Sequence, residues 1–223
     1  MKHAEFRFYA ELNDFLPAER RFTSFLCGFT NTQTVKHLIE SIGVPHTEVD
    51  LVLVNGQSVD FSRRVEDGDR VSVYPVFEAF DIAALTRVRP EPLRQTRFIL
   101  DVHLGRLAAY LRMLGFDAVY RKDLHDEELS LIAGDQRRIL LTRDRGLLKR
   151  SEVTHGYCIR QSSPREQLVE VLDRFDLARL VAPFTRCMRC NGLLEEAPKE
   201  AVAGQVPPAS RSVHEEFRQC SAC

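Results

Sequence analysis

The sequence lacks any apolar run long enough to cross a membrane, and its first residues mix polar and apolar side chains with charges throughout. We therefore expect neither a membrane-spanning segment nor an N-terminal secretion signal. Both absences predict a soluble, cytoplasmic protein, whose thiols stay reduced. An excess of charge of one sign is lacking too, since 31 Lys and Arg face 32 Asp and Glu. The charges balance only over the whole chain, because residues 137–150 carry a local excess of six cations: Arg137, Arg138, Arg143, Arg145, Lys149 and Arg150.

Cysteine is scarce outside one region, where two C-x-x-C pairs occur: Cys187 with Cys190, and Cys220 with Cys223. Each pair brings two thiolates to one ion, and two pairs complete the tetrahedral shell that zinc prefers. Two disulfides or a redox-active pair are the alternatives, but neither explains the same spacing twice around a polar, proline-containing loop. The spacing predicts a structural zinc ribbon over residues 183–223. A filled shell leaves no position for substrate, so any catalytic site lies elsewhere.

The first eighty residues predict a small α+β domain of the β-grasp type. Alternating polarity indicates strands, a one-sided apolar stripe followed by Gly43 indicates a helix, and Asn55-Gly56 is a strong hairpin signal. The predicted order is strand, strand, helix, strand, strand, at Glu5–Leu12, Arg21–Leu26, Thr34–Ile42, Asp50–Val54 and Asp69–Val76.

Val54-Asn55-Gly56 and Asp67-Gly68-Asp69-Arg70-Val71 give this segment a resemblance to ubiquitin-like sulfur carriers. Carriers of that family end in a free Gly-Gly, which is lacking here, because residues 76–80 run directly into more protein. We therefore expect residues 1–80 to be a docking or scaffold domain with a protein partner. A sulfur carrier would need a processed terminus after Gly-Gly.

Residues 81–96 contain Pro90 and Pro92 without periodicity and predict a connector. Residues 97–182 then alternate short apolar strands with helices, which predicts an α/β domain with a parallel sheet flanked by helices. The predicted strands are Arg97–Leu100, Ala118–Tyr120, Arg138–Thr142 and Tyr157–Arg160, and the helices are Leu104–Leu114, Asp126–Ala133 and one beginning with a Ser163–Glu166 capping box and Pro164 at its first position.

An aspartate follows two of these strands, with Asp101 directly after the first and Asp144 separated by one residue from the end of the third. Ligands of parallel sheets bind at the carboxyl ends of the strands, and Mg²⁺ or Mn²⁺ is held by a few carboxylates together with water and substrate. Three acids at the start of the middle helix, Asp126, Glu127 and Glu128, offer a third ligand. Turn formation and helix capping explain the same acids without a metal, so both interpretations remain open.

Three sequence motifs together give a more specific resemblance. Asp101–Ala108 with Leu111–Asp117, then Asp126–Leu129, then Arg138–Asp144, resemble the Mut7-C family. The resemblance implies a PIN-type nuclease fold, followed by a zinc ribbon and preceded by a ubiquitin-like domain. It also implies that Asp101, Asp126 and Asp144 bind the catalytic Mg²⁺ or Mn²⁺. PIN nucleases have a fourth acid, for which residues 145–161 offer only Glu152.

Basic residues near these acids complete the predicted site. Arg106, Arg143 and Arg145 are candidate phosphate contacts for RNA, whereas Arg106 and Arg112 are equally explained by a solvated helix face. The leading hypothesis is a metal-dependent endoribonuclease or exoribonuclease acting on single-stranded RNA. The alternative is a noncatalytic RNA- or protein-binding adaptor that keeps the PIN-like fold, and it predicts that RNA affinity survives Asp101→Asn.

Overall fold

A computed structural model describes residues 1–75, 87–88, 96–202 and 204–223. The predicted connector at 81–96 lies outside the described residues except for positions 87, 88 and 96, and so does the continuation at 76–80. The chain forms two compact units, Met1–Gln95 with His125–Ile159, and Thr96–Leu124 with Arg160–Cys223. In the parts of the chain that are described, no helix is long and apolar enough to span a bilayer.

The N-terminal part is a five-stranded mixed sheet in the order β2-β1-β5-β3-β4, with a helix between β2 and β3. β1 runs antiparallel to β2 and parallel to β5, while β3 is antiparallel to β5 and β4. This arrangement confirms the predicted α+β β-grasp domain. The elements are β1 (Lys2–Phe8), β2 (Phe25–Phe29), α1 (Val35–Ile42), β3 (Val49–Val54), β4 (Gln57–Val59) and β5 (Arg70–Pro75).

Local signals explain this part of the chain well. The hydroxyl of Thr34 accepts the N–H of His37 at the start of α1, and Gly43, with φ of +124°, follows its end. Asn55 and Gly56 both have positive φ, at 52° and 81°, and make the tight turn between β3 and β4.

Two strand predictions in the N-terminal part are wrong in their bounds. The first strand ends at Phe8 instead of Leu12, because a 3-10 helix at Ala10–Phe15 turns the chain and buries Leu12 and Phe15. The second strand is Phe25–Phe29 instead of Arg21–Leu26, and Phe6 pairs with Phe25. Residues 21–24 are exposed and precede the strand.

The remainder of the chain contains parallel strands with helices between them, as the α/β prediction required. β6 (Arg97–Leu100) pairs parallel with β7 (Asp117–Val119), and β8 (Ile139–Thr142) pairs parallel with β9 (Gly156–Cys158). The helices are α2 (Gly105–Met113), α3 (Asp126–Asp135), α4 (Pro164–Arg174) and α5 (Pro208–Val213). Near the end of the chain β10 (Leu194–Ala197) and β11 (Phe217–Cys220) form an antiparallel pair.

The predicted capping box at the start of α4 is wrong, although Pro164 does occupy the first position of this helix. The side chain of Ser163 makes no capping hydrogen bond. The carboxylate of Glu170 instead accepts the backbone N–H groups of Arg160 and Gln161 at 2.9 and 3.0 Å. A side chain about two turns further along the helix therefore holds the loop that enters α4.

Candidate metal centre and candidate nuclease residues

The four cysteines of the two C-x-x-C pairs come together in the structure. Their sulfur atoms all lie within 4.8 Å of one another, with 3.7 Å between Cys187 and Cys223 and 3.3 Å between Cys190 and Cys220. Among the described residues, they form the one group of three or more potential metal ligands this close together. The antiparallel strands β10 and β11 carry the ribbon, and β11 ends at Cys220.

The sulfur positions fit a tetrahedral zinc ion. With Zn–S bonds of about 2.3 Å, such a shell places its sulfur atoms about 3.8 Å apart, which is within the observed spread. Backbone N–H groups of Gly192 and Ala222 donate to the sulfur atoms of Cys190 and Cys220, each at 3.4 Å. Donors of this kind stabilise thiolates, so the backbone is arranged for anionic sulfur.

The acidities of the cysteines favour the same conclusion. The backbone N–H of Cys190 lowers the pKa of the Cys187 thiol to about 7. Hydrogen bonds with Cys190, Cys220 and Cys187 raise the pKa of the Cys223 thiol to about 12. One thiol therefore ionises readily, whereas another resists ionisation while its neighbours are anionic. A divalent cation would remove this repulsion, so the donor set suits a metal such as zinc in a structural role.

Arg112 connects helix α2 to the first cysteine pair. Its side chain is only 4% exposed, and its Nε donates to the carbonyl of Ala118 at 2.8 Å. Its Nη1 donates to the carbonyls of Met188 and Arg189 at 3.1 and 2.9 Å. Burial lowers the pKa of Arg112, while the nearby Cys190 and Cys187 oppose this shift. The interpretation of Arg112 as part of a solvated helix face is therefore wrong. Its guanidinium is buried and donates hydrogen bonds to the backbone of the ribbon.

Asn191 makes a second connection between the ribbon and β7. Its Oδ1 accepts the N–H of Ala118 at 3.0 Å, and its Nδ2 donates to Oδ1 of Asp117 at 2.8 Å. Arg186 reinforces this contact, since its Nη2 lies 3.6 Å from Oδ2 of Asp117. The first cysteine pair is thus anchored to α2 and β7 by side-chain hydrogen bonds.

Gly115, two residues after the end of α2, is required by a close backbone approach. Its φ is +93°, and a Cβ at this position would lie 2.1 Å from the carbonyl oxygen of Ala182. The N–H of Ala182 donates to the carbonyl of Leu114 at 2.9 Å. The segment Leu111–Gly115 therefore packs against the stretch of chain that leads into the ribbon.

Asp101 directly follows β6 and is 7% exposed. Its backbone carbonyl accepts the N–H of Leu104 at 2.9 Å, in the 3-10 turn Val102–Leu104 that leads into α2. His103 and Arg106 are exposed on this turn and on the first turn of α2. Asp101 is thus a buried carboxylate that directly follows a parallel strand, the strand-end position that the sequence predicted for it.

The three acids of α3 have different surroundings. Asp126 is the first residue of the helix and is exposed. The carboxylate of Glu128 accepts the backbone N–H of His125 at 3.2 Å, so Glu128 serves as a helix cap. Capping explains the position of Glu128 without a metal. Asp126, the acid that the family resemblance assigns to the metal, stays exposed at the start of the helix.

Asp144 lies in a tight turn after β8 and is exposed. Its N–H donates to the hydroxyl of Thr142 at 2.9 Å, and its Oδ1 accepts the N–H of Gly146 at 2.6 Å. One carboxylate oxygen is therefore used locally. The turn fixes the direction of the side chain without preventing the other oxygen from binding a ligand.

The basic residues around Asp144 differ in exposure and in their contacts. Arg143 is exposed. The guanidinium carbon of Arg145 lies 4.8 Å from the ring centroid of Phe15, and Nζ of Lys149 donates to the carbonyl of Glu40 at 2.7 Å. Arg138 is buried, and its Nε donates to Oε1 of Gln136 at 2.7 Å. Several cations of the basic cluster thus make contacts within the protein, which the local sequence did not reveal.

The chain thus combines a β-grasp sheet near its N-terminus with an α/β part built on parallel strands, and it ends in four cysteines that could hold a metal. The family model described as Mut7-C RNAse domain matches residues 96–223, and the one described as Mut7-C ubiquitin matches residues 1–81. The chain belongs to the Mut7-C RNAse domain family, and the predicted resemblance is confirmed with its N-to-C order.

The crystal structure of H. volcanii small archaeal modifier protein 1 is similar to part of the chain. The identity is 18%, the match covers 34% of this chain and 100% of that chain, and the TM-score is 0.28. No curated protein matches the chain.

Proposed function

We propose that the chain is a metal-dependent ribonuclease that hydrolyses phosphodiester bonds of single-stranded RNA. The main support is the match of residues 96–223 to an RNAse domain. Within this range Asp101 follows β6 directly and Asp144 follows β8 after one residue. Acids at the carboxyl ends of parallel strands are well placed for ligand binding.

In this proposal Asp101, Asp126 and Asp144 hold Mg²⁺ or Mn²⁺, whose preferred ligands are oxygen atoms. The ion supplies Lewis-acid chemistry, because it activates water and offsets the negative charge that develops on the phosphate. A different local structure would orient each carboxylate. Asp144 lies in a turn closed by Gly146, Asp126 begins α3, and the buried Asp101 precedes the 3-10 turn that leads into α2. Low solvent exposure at Asp101 strengthens its attraction for a cation.

Exposed arginines would bind the RNA backbone. Arg143 and Arg106 are both exposed, and guanidinium groups pair well with phosphate. Arg145 contacts Phe15 as well, so its proposed phosphate contact would use only the part of the guanidinium that faces solvent. The zinc ribbon would contribute structure to this domain, and its filled thiolate shell takes no part in the hydrolysis.

A noncatalytic RNA- or protein-binding adaptor is the second candidate. It is favoured by the local roles of two acids, since Asp144 accepts the N–H of Gly146 and Glu128 caps α3. Turn formation and capping would keep these acids in the fold without a catalytic ion. The adaptor retains RNA affinity but shows no cleavage at any metal concentration.

The two ends of α3 provide a matched test of the proposal. Asp126→Asn removes a proposed metal ligand, whereas Asp135→Asn removes an exposed acid from the last position of the same helix. We expect Asp126→Asn to slow cleavage of labelled single-stranded RNA in Mn²⁺ on the order of 100-fold, as for loss of one electrostatic contact in a transition state. Asp135→Asn should cleave at the rate of the unaltered protein.

Because of the helix dipole, Asp126→Asn and Asp135→Asn should have small and opposite effects on the free energy of unfolding. Loss of the N-terminal charge costs about 0.5 kcal/mol and loss of the C-terminal charge gains a similar amount. A denaturation curve for each variant separates this effect from catalysis. Equal cleavage rates for the two variants would remove Asp126 from the proposed site.

A further inference from the structure

Residues 143–158 contact the ubiquitin-like part of the chain at four points, all within one compact unit. We call residues 143–158 the Asp144 segment, because Asp144 begins its first turn. Its contact residues are Arg145, Lys149, Val153 and Cys158, and their partners are Phe15, Glu40, His46 and Glu48, respectively. The contacts are therefore spread over the length of the segment.

The first contact holds the residue next to Asp144. The guanidinium carbon of Arg145 lies 4.8 Å from the ring centroid of Phe15, and its Nη1 and Nη2 donate to the carbonyls of Phe15 and Asp14 at 3.4 Å. The hydrogen bonds are long, so the cation–π contact with Phe15, which is 6% exposed, is the main interaction.

The second and third contacts share Glu40, near the end of helix α1. Its backbone carbonyl accepts from Nζ of Lys149 at 2.7 Å, where the helix dipole favours a cation. Its carboxylate lies 2.7 Å from Nδ1 of His46, and Nε2 of His46 donates to the carbonyl of Val153 at 3.0 Å. His46 is 7% exposed, so these hydrogen bonds are shielded from water.

The fourth contact satisfies a backbone group of β9. Oε1 of Glu48 accepts the N–H of Cys158 at 2.5 Å, and Glu48 is 1% exposed. Within the described residues β9 pairs only with β8, and Glu48 of the ubiquitin-like part binds an N–H group at its other edge. A covered strand edge is protected from pairing with other chains.

We propose that the ubiquitin-like domain is an intramolecular positioning element that fixes the backbone of the Asp144 segment. Its Phe15, Glu40, His46 and Glu48 hold the segment at successive points, and Phe15 acts next to the proposed metal ligand. This inference rests on the proposed function only for the role of Asp144. It gives the scaffold role expected for residues 1–80 to a surface that binds this chain itself.

Amide hydrogen exchange of the full chain, measured without metal or RNA, tests the proposal. The amides of Gly146, Lys149 and Val153 donate within the segment, and that of Cys158 donates to Glu48, so all four should exchange slowly. Phe15→Leu removes the ring beneath Arg145. Phe25→Leu is the matched control, because Arg20 lies 4.9 Å from the Phe25 ring centroid in the same domain, away from the segment.

We expect Phe15→Leu to speed exchange over residues 143–153 about tenfold, the upper part of the range for a lost cation–π contact, and Phe25→Leu to leave it unchanged. Lys149→Met, which removes the ammonium group from the surface of the segment, should accelerate the same amides even if Phe15→Leu fails to fold. Unchanged exchange in the segment in both Lys149→Met and any folded Phe15→Leu, or a uniform rise across the whole protein, would overturn the proposal.

Cleavage assays on the same samples separate this inference from the proposed function. Faster exchange in the segment together with an inactive unaltered protein would support the positioning role and reject the ribonuclease. Metal-dependent cleavage by the unaltered protein, with exchange in the segment unaffected by Phe15→Leu and Lys149→Met, would support the ribonuclease and reject the positioning role.

Discussion

Replacing Cys190 with serine is expected to release zinc and unfold the ribbon at residues 183–223. The sulfur of Cys190 lies 3.3 Å from that of Cys220, and the four ligands hold two separated stretches of chain together. Structural zinc sites contribute on the order of 10 kcal/mol to folding, so loss of one thiolate removes much of the stability of a small ribbon. Elemental analysis should find about one zinc per chain before the substitution and none after dialysis of the variant.

Cys27→Ser is the control for this experiment. Cys27 lies half-buried in β2, outside the four-cysteine cluster, so its replacement should leave the zinc content unchanged. Hydrogen exchange should show loss of protection in β10 and β11 of Cys190→Ser, while β6 and β7 stay protected. A ribbon that stays folded without zinc would reject the structural metal site.

Arg112→Met is expected to loosen the ribbon from α2 and to accelerate zinc loss. The substitution keeps the length of the side chain but removes the donors to the carbonyls of Ala118, Met188 and Arg189. Leaving buried acceptors without donors costs on the order of 3 kcal/mol here, since each costs about 1–3 kcal/mol. The measured quantity is the rate of zinc transfer to a coloured chelator, which should rise on the order of 100-fold if the full loss acts on the zinc-bound state.

Arg106→Met provides a matched comparison on the same helix, because Arg106 is exposed. It should leave the rate of zinc transfer unchanged. If the two variants released zinc equally fast, the hydrogen bonds of Arg112 would have no role in holding the metal centre.

Features that depend on neighbouring residues could be predicted from the sequence. β6 has the predicted bounds Arg97–Leu100, the turn at Asn55-Gly56 has the expected positive φ values, and the paired cysteines converge. For the strand and the turn the physical cause lies within a few residues, in an apolar run and in the turn conformation. The two cysteine pairs are far apart in the chain, and their convergence could be predicted because a tetrathiolate zinc site needs both pairs.

The roles of Arg112 and Arg145 could not be predicted in this way. Arg112 binds carbonyls 76 and 77 positions further along the chain, and Arg145 contacts residues 130 and 131 positions before it. One signal for Arg112 was present, since it lies four residues after the buried Ala108 and thus on the apolar side of α2. A cation on such a face needs buried acceptors, but the sequence does not say which.

Residues Leu111–Gly115, part of the first motif that carried the family resemblance, have a structural role. Its arginine and glycine serve the contact with the ribbon, because Arg112 binds the first cysteine pair and Gly115 admits the carbonyl of Ala182. The proposed chemistry is carried instead by isolated acids, whose sequence context is also typical of turns and caps.

Cleavage of labelled single-stranded RNA by the unaltered protein and by Asp144→Asn, each with and without Mn²⁺, tests the central claim most directly. The zinc content of every sample is checked, so that loss of the ribbon is not mistaken for loss of catalysis. We predict cleavage only by the unaltered protein in Mn²⁺, while Asp144→Asn stays folded and inactive. Equal cleavage under all four conditions, or none by the unaltered protein on several RNAs, would contradict the proposed ribonuclease.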